Sequence, residues 1–243
     1  MSAALTGLSS MATRHALADL CRACAAAGGE RACFESVGGI DAARRVRAGE
    51  AIDIVVLAAD AIDALASAGS VIADSCMAIM ESSVAIAVPR DAPRPDVSSE
   101  GALRRTLLAA RRIGYSTGPS GTALLRLFER WGIAEALRER LVQAPPGKPV
   151  ASSLADNQAD LGFQQLSELQ GENGIAVLGP MPPGTEILTT FVGAVGARSM
   201  RVDAARAVLE FLQSPSNDEI KRRHGMAPAR QAAIRHPNRI AST

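Results

Sequence analysis

Residues 53–57 read DIVVL, and this run decides the fold. An uninterrupted apolar stretch rich in β-branched residues is typical of a strand that is buried on both faces of a parallel sheet. Residues 61–68 follow with a helical apolar spacing. Upstream, residues 3–8 predict a strand that leads through two serines into a helix over 11–24. Strands that alternate with helices in this way predict a doubly wound α/β sheet.

The strand-and-helix unit recurs along the chain. Further predicted strands cover 32–35, 83–88, 112–115, 160–164 and 175–178, and further predicted helices cover 40–48, 100–111, 122–131, 133–140, 152–157, 202–212 and 217–224.

Two places in the sequence predict a crossing between two lobes. The Pro-rich stretch 89–95 is predicted to be a crossing loop, and the β-rich segment 186–195 is predicted to return the chain to the first lobe. We therefore expect two doubly wound lobes that are joined by two crossover strands, with a ligand cleft between them. Lobe I is assigned residues 1–83 plus 192–243, and lobe II is assigned residues 84–191.

Composition narrows the class of partner. The chain has 26 Lys and Arg against 25 Asp and Glu, so its charge balance predicts no nucleic-acid partner. Aromatic residues make up only 3%, which argues against base stacking and against a carbohydrate cleft walled by rings. No stretch is long and apolar enough to predict a membrane segment. A small ligand is the predicted partner, and the oligomeric state stays open.

The cysteines and the first residues bear on the cellular compartment. Cys21 and Cys24 form a C-x-x-C pair on the predicted apolar face of a helix, without a second such pair or a nearby His pair. They predict reduced thiols, and no metal site. Residues 1–10 lack the pattern of a signal peptide. We expect a cytoplasmic protein if Met1 is the natural start, and a periplasmic protein if a signal peptide has been removed.

Three loops with the same composition each lie between a predicted strand and a helix. Free backbone N–H groups and the positive end of the helix dipole favour anions at such places, and serine hydroxyls add donors. A single loop of this kind is usually only a helix cap, whereas three at the carboxyl ends of strands predict one anion cleft. The loops are Ser9-Ser10, Ser36-Val37-Gly38-Gly39 and the stretch STGPSG at 116–121.

These loops also carry a resemblance, together with the stretch AGExxDIVV at 48–56, the run GFQQLSE at 162–168 and GMAP at 225–228. Their order and spacing resemble the type II periplasmic-binding-protein fold, and within it the molybdate-binding branch of the substrate-binding proteins of ABC transporters. The resemblance spans the chain from Ala3 to about Met226. It implies a small oxyanion that is held between the lobes by neutral donors, without a cofactor.

The resemblance also implies which residues bind the ligand. Carried over by position, they are Ser9, Ser10, Ser36, Gly38, Ser120, Gly121, Ser153 and Gln165. Gln165 stands at a position where the molybdate binders share a tyrosine. This departure favours a carboxylate over a tetrahedral oxyanion as the ligand.

A second hypothesis follows from the same resemblance, because the fold also includes an aconitate isomerase related to the molybdate binders. On this hypothesis the chain is a cytosolic isomerase of a small unsaturated polycarboxylate. A third, an effector sensor, is weaker because no output module is attached.

Isomerisation needs a base in the cleft, and the sequence assigns none. His15 lies more than a helical turn beyond Ser10, which is more typical of a surface or packed histidine. Glu168 either approaches the cleft, caps Ser167 or faces water. Three arginines either bind carboxylates in a bidentate manner or remain solvated surface charges, namely Arg14, Arg44 and Arg45.

Overall fold

The computed structural model describes residues 3–145 and 147–229. Its strands are β1 (Leu5–Ser10), β2 (Ala32–Val37), β3 (Ile54–Ala58), β4 (Met77–Pro89), β5 (Ile113–Tyr115), β6 (Leu141–Gln143), β7 (Leu161–Gln165), β8 (Ile175–Pro180), β9 (Leu188–Val195) and β10 (Ala227–Pro228). Its α-helices are α1 (Arg14–Ala26), α2 (Gly39–Arg47), α3 (Ala59–Ser67), α4 (Glu100–Ala109), α5 (Pro119–Arg130), α6 (Ala134–Leu137), α7 (Val150–Ala155), α8 (Leu166–Leu169), α9 (Val202–Gln213) and α10 (Asp218–Arg223).

The strands form one continuous, mixed sheet in the order β2-β1-β3-β9-β4-β7-β5-β6, with β8 and β10 also paired to β4. In lobe I, β1 pairs in parallel with β2 and β3, and in lobe II, β5 pairs in parallel with β6 and β7. The antiparallel strands β4 and β9 lie between these two groups. The predicted α/β fold of two doubly wound lobes with two crossover strands is confirmed.

Each lobe has apolar side chains on both faces of its part of the sheet. The run 53–57 behaves as predicted, since Ile54 and the three residues after it are fully buried in β3. In lobe II, the rings of Phe128 and Phe163 meet edge to face, with centroids 6.3 Å apart. On the other face, α7 lies so close that a Cβ on Gly162 would be 2.7 Å from the Leu154 side chain. Helices therefore cover both faces of each parallel group, as buried parallel strands require.

The crossover strand β4 determines where the strand ends of the two lobes meet. Up to Ser83 it pairs with β9, and from Val84 onward it pairs with β7. The carboxyl end of β3 lies opposite Phe191 of β9, and the carboxyl end of β7 lies opposite Val84. The carboxyl ends of both parallel groups therefore approach the middle of β4 from opposite sides.

The predicted crossing in loop 89–95 is wrong. Strand β4 begins at Met77, well before the predicted start at 83, and the chain crosses between lobes inside this strand. The Pro-rich loop follows the crossing and leads only to α4. The assigned lobe bounds, residues 1–83 plus 192–243 and residues 84–191, stay a prediction.

Two further differences have local causes. Helix α5 begins at Pro119 rather than at 122, because proline is well suited to the first helical position, where no N–H is needed. Ser120 and Gly121 therefore lie in the first turn of α5 and not in the loop before it. Residues 141–143, for which no element was predicted, form the short edge strand β6.

The cysteines and the helices agree with the compositional analysis in two respects. Cys21 and Cys24 lie on the buried face of α1, as predicted, and all four cysteines are free thiols. Burial raises the pKa of Cys21 to about 12, which keeps it a neutral thiol. Within residues 3–145 and 147–229, no helix is long and apolar enough to cross a bilayer.

Candidate functional site

Two serines stand side by side at the carboxyl ends of β1 and β2. Ser9 and Ser36 are partners in the strand register, and their hydroxyl oxygens lie 2.8 Å apart. Ser9 is fully buried, whereas Ser36 is partly exposed. Two hydroxyls have two hydrogens, and the bond between them uses only one. Ser9 Oγ also lies 3.4 Å from the carbonyl oxygen of Ser10; when Ser9 donates to Ser36 instead, the Ser36 hydrogen is left to donate to a ligand.

The other two predicted residues of lobe I lie beside this pair. The Ser10 hydroxyl accepts a hydrogen bond from the N–H of Ala12 and so caps the 3₁₀ turn Met11–Thr13. Gly38 is the N-cap of α2 and lies close to lobe II, because a Cβ built on it would be 4.0 Å from the backbone nitrogen of Gly147. Loops of the two lobes therefore meet next to the Ser9–Ser36 pair.

Lobe II has a serine pair of the same construction. The hydroxyls of Ser116 and Ser120 lie 2.9 Å apart, with Ser120 buried in the first turn of α5 and Ser116 partly exposed in the loop after β5. By the same count, Ser116 retains a hydrogen for a ligand when Ser120 donates to it. The sequence analysis missed Ser116, although its spacing of four residues from Ser120 was a signal for this contact.

Gly121 holds the serine loop in place through the absence of a side chain. A Cβ at this position would lie 1.9 Å from the carbonyl oxygen of Ser116, a separation that no structure tolerates. The N–H of Gly121 donates to the carbonyl oxygen of Gly118 at 3.0 Å. This N–H is thus used within the loop, and what Gly121 contributes in the structure is close packing.

Gln165, at the end of β7, lies against the crossover strand β9. Its Nε2 donates to Thr189 Oγ1 at 2.7 Å, and its Oε1 is buried without a hydrogen-bond partner in the described part of the chain. Because a threonine hydroxyl both donates and accepts, either end of the amide fits Thr189. The other end is then available to a ligand. Ser153, by contrast, lies buried inside α7 rather than in a loop.

Glu168 lies in the single turn of α8, which directly follows Gln165. Its carboxylate accepts a hydrogen bond from Gln164, whose Oε1 in turn accepts the N–H of Val150 at 2.7 Å. Burial raises the pKa of Glu168 to about 7, and the Gln164 hydrogen bond and the Arg14 guanidinium reduce this rise. Glu168 is partly buried, and the three environments considered for its carboxylate stay predictions.

The three candidate arginines have different partners. Arg45 is held by two carboxylates, with Nη1 2.7 Å from Glu35 Oε1 and Nη2 2.6 Å from Glu50 Oε1. Arg44 pairs with Asp41 on its own helix. Arg14, at the start of α1, is the arginine whose charge acts on Glu168 across the two lobes.

The histidine considered in the sequence, His15, contacts basic groups of α1 and α10. His15 stacks on His224 of α10, with ring centroids 6.3 Å apart, and its Nε2 lies 2.9 Å from Arg14 Nη2. Burial lowers the pKa of His15, and the charges of Arg14 and His224 lower it further. In residues 3–145 and 147–229, no three or more His, Cys, Asp or Glu residues are arranged to hold a metal ion.

Comparisons with known proteins identify the family of the chain and its fold. The model of the family described as bacterial extracellular solute-binding protein matches residues 5–227. The chain belongs to this family. This solute-binding family member is also 35% identical, over 185 residues, to aconitate isomerase from Pseudomonas sp. That alignment covers 76% of the chain and 70% of the isomerase.

Solved structures with the same fold come from binding proteins. The periplasmic molybdate-binding protein of Azotobacter vinelandii matches with a TM-score of 0.78 and 16% identity, over 93% of this chain and 100% of that one. The sulfate-binding protein of Mycobacterium tuberculosis matches with a TM-score of 0.77 and 17% identity, over 95% and 88%. At these identities the likeness shows the fold alone, and the predicted resemblance to type II periplasmic-binding proteins is confirmed.

The close approach at Gly121 generates a test with a matched control in the same loop. We expect Gly121→Ala to lower the free energy of unfolding in urea by about 1–3 kcal/mol, because the new methyl group displaces the Ser116 carbonyl. Gly118→Ala is the control, since a Cβ there meets nothing within 4 Å and its φ is −85°. Equal stability of the two variants would contradict this account of the loop.

Proposed function

We propose that this protein binds a small unsaturated polycarboxylate in the cleft between its lobes and isomerises the carbon–carbon double bond of that ligand. The observation that carries the proposal is the 35% identity to aconitate isomerase, over more than two thirds of both chains. Aconitate is propene-1,2,3-tricarboxylate, an anion with three carboxylates around one double bond. The site geometry supports a ligand of this kind in two ways.

The first support is the pair of serines in each lobe. In both pairs a buried hydroxyl, that of Ser9 or Ser120, lies behind a partly exposed one. When the buried hydroxyl donates to its neighbour, the hydrogen of the outer hydroxyl remains for a ligand. A chain of two hydrogen bonds that ends on an anion is stronger than two separate bonds, because each polarises the next. Ser36 and Ser116 thus become the donors that face the ligand.

The second support is Arg14 of lobe I, whose positive charge acts on Glu168 of lobe II. A ligand with several carboxylates has more negative charge than two hydroxyl donors neutralise. A guanidinium matches a carboxylate with two parallel hydrogen bonds, so it both neutralises and orients one end of such a ligand. Arg44 and Arg45 already have carboxylate partners, which leaves this role to Arg14.

Binding of a solute anion without chemistry is the second candidate function. The family description and the molybdate-binding and sulfate-binding structures favour it. In that case the ligand is a small oxyanion held by the serine hydroxyls and Gln165, and no step changes it.

Proton NMR with the purified protein separates the two candidates. We expect cis-aconitate to convert to its trans isomer, and propane-1,2,3-tricarboxylate, which has no double bond, to bind in calorimetry without reacting. Molybdate and sulfate are titrated in parallel. Tight binding of either oxyanion, together with unchanged aconitate and no heat from the tricarboxylate, would replace the first function with the second.

Substitutions at the serine pairs test which donors face the ligand. We expect Ser36→Ala and Ser116→Ala each to weaken binding of propane-1,2,3-tricarboxylate roughly 5- to 150-fold, the cost of one donor to an anion at about 1–3 kcal/mol. Arg14→Ala should weaken it more than either serine change. Ser67→Ala, at the exposed carboxyl end of α3, is the control. An unchanged dissociation constant in both serine variants would remove the pairs from the site.

A further inference from the structure

Glu168 is a carboxyl group of lobe II that lies where lobe I contacts α8. Helix α8 lies against the turn Met11–Thr13, which is capped by Ser10 and directly follows it. On the lobe II side, Ser167 of the same helix has its hydroxyl 3.3 Å from that of Ser82 on the crossover strand. The single turn of α8 is therefore held between the crossover strand and the anion loop of lobe I.

Two more contacts hold this turn to lobe I. Gln170, directly after α8, donates from Nε2 to the carbonyl oxygen of Arg223 at 3.1 Å. Gly225 lies so close to α8 that a Cβ on it would be 2.6 Å from Gln170 Oε1 and 3.0 Å from Leu166 Cγ. These contacts join α8 to the C-terminal segment of lobe I, so Glu168 lies where the two lobes meet.

Two groups act on the carboxylate of Glu168, one from each lobe. Gln164 is buried on β7, with Oε1 bound to the N–H of Val150, so its amide nitrogen is turned toward Glu168. Arg14 acts on the same carboxylate from the opposite lobe. Glu168 lies three residues after Gln165, on the helical turn that contacts the Ser10-capped turn of lobe I, and this position between two predicted ligand contacts suits a general base.

We propose that Glu168 is the general base that moves the proton in the isomerisation. This inference rests on the proposed function. The carboxylate of Glu168 takes a proton from the methylene carbon of the ligand. The electron pair of the broken C–H bond forms a new double bond to the central carbon, while the former double-bond pair moves to the outer carbon. Glu168 then returns the proton to that outer carbon, so the double bond has shifted by one position and nothing is oxidised or consumed.

One carboxyl group is enough for this reaction, because the proton that it removes is the proton that it returns. Its protonation state sets the pH dependence. Glu168 must be ionised to accept the proton, so kcat/KM for cis-aconitate should fall as the pH drops below about 7. The surrounding groups that act on it are Gln164 from β7 and the guanidinium of Arg14 from α1.

The test compares Glu168→Gln with the wild type and with Glu172→Gln, a control in the turn after α8. We expect Glu168→Gln to lower kcat for cis-aconitate by about 10²- to 10⁴-fold, the usual contribution of a general base, with the dissociation constant of propane-1,2,3-tricarboxylate unchanged. Glu172→Gln should keep both values. Glu168→Asp restores a carboxylate one methylene farther back and should recover part of the rate with the same pH profile.

A second readout does not depend on activity. A folded-state pKa above the ordinary value of 4.5 means that folded Glu168 holds its proton more tightly than the unfolded chain does. Its contribution to stability is complete at low pH and is lost as the pH rises through about 7. The difference in unfolding free energy between Glu168→Gln and the wild type should therefore grow in favour of the variant between pH 5 and 8.

The outcomes are distinguishable. If the wild type binds the tricarboxylate but does not isomerise aconitate, the proposed function is wrong, and so is the assignment of Glu168 as its general base. If the wild type turns over and Glu168→Gln keeps its kcat, or if Glu168→Asp is inactive while it binds normally, the base assignment alone is overturned.

Discussion

A single strand, β4, hydrogen-bonds to both halves of this molecule, and the position of the site depends on that pairing. Its partner changes from β9 to β7 between Ser83 and Val84. Parallel strands of both lobes consequently end beside the same few residues of β4. The ends of the parallel strands and the segments that follow them carry the serines, Gln165 and Glu168. In open α/β sheets, ligands bind at the carboxyl ends of strands, and this topology brings two such sets of ends together.

The hydrogen-bond donors of the cleft are mainly the neutral serine pairs. Each lobe contributes a buried serine behind a partly exposed one, which provides directed hydrogen-bond donors without the cost of a buried charge. The charged groups that the structure brings to the same region, Arg14 and Glu168, come from opposite lobes. The interaction between them crosses from one lobe to the other. Under the proposed function, the same fold serves both solute binding and chemistry on a bound anion.

Much of the fold was predictable because its signals are local. The buried run at 53–57 and the Ser and Gly residues at strand ends follow from residues within a few positions of one another. The crossing was misplaced because Met77–Pro89 is one strand with two successive partners, and pairing with distant strands leaves no local pattern. The partners of the arginines were not predictable for the same reason, because Arg45 is bound by Glu35, which lies on a different element. Ser116 was not predicted as a site residue because its contact with Ser120 depends on α5 beginning at Pro119, which places Ser120 in the first turn of the helix.

The most direct test of the central claim is a crystal structure of the protein with bound propane-1,2,3-tricarboxylate. The account predicts that its carboxylates accept hydrogen bonds from Ser36, Ser116 and Arg14, with a methylene carbon facing the carboxyl group of Glu168. A ligand bound away from the middle of β4, or one in the cleft with Glu168 turned away from it, would contradict the account.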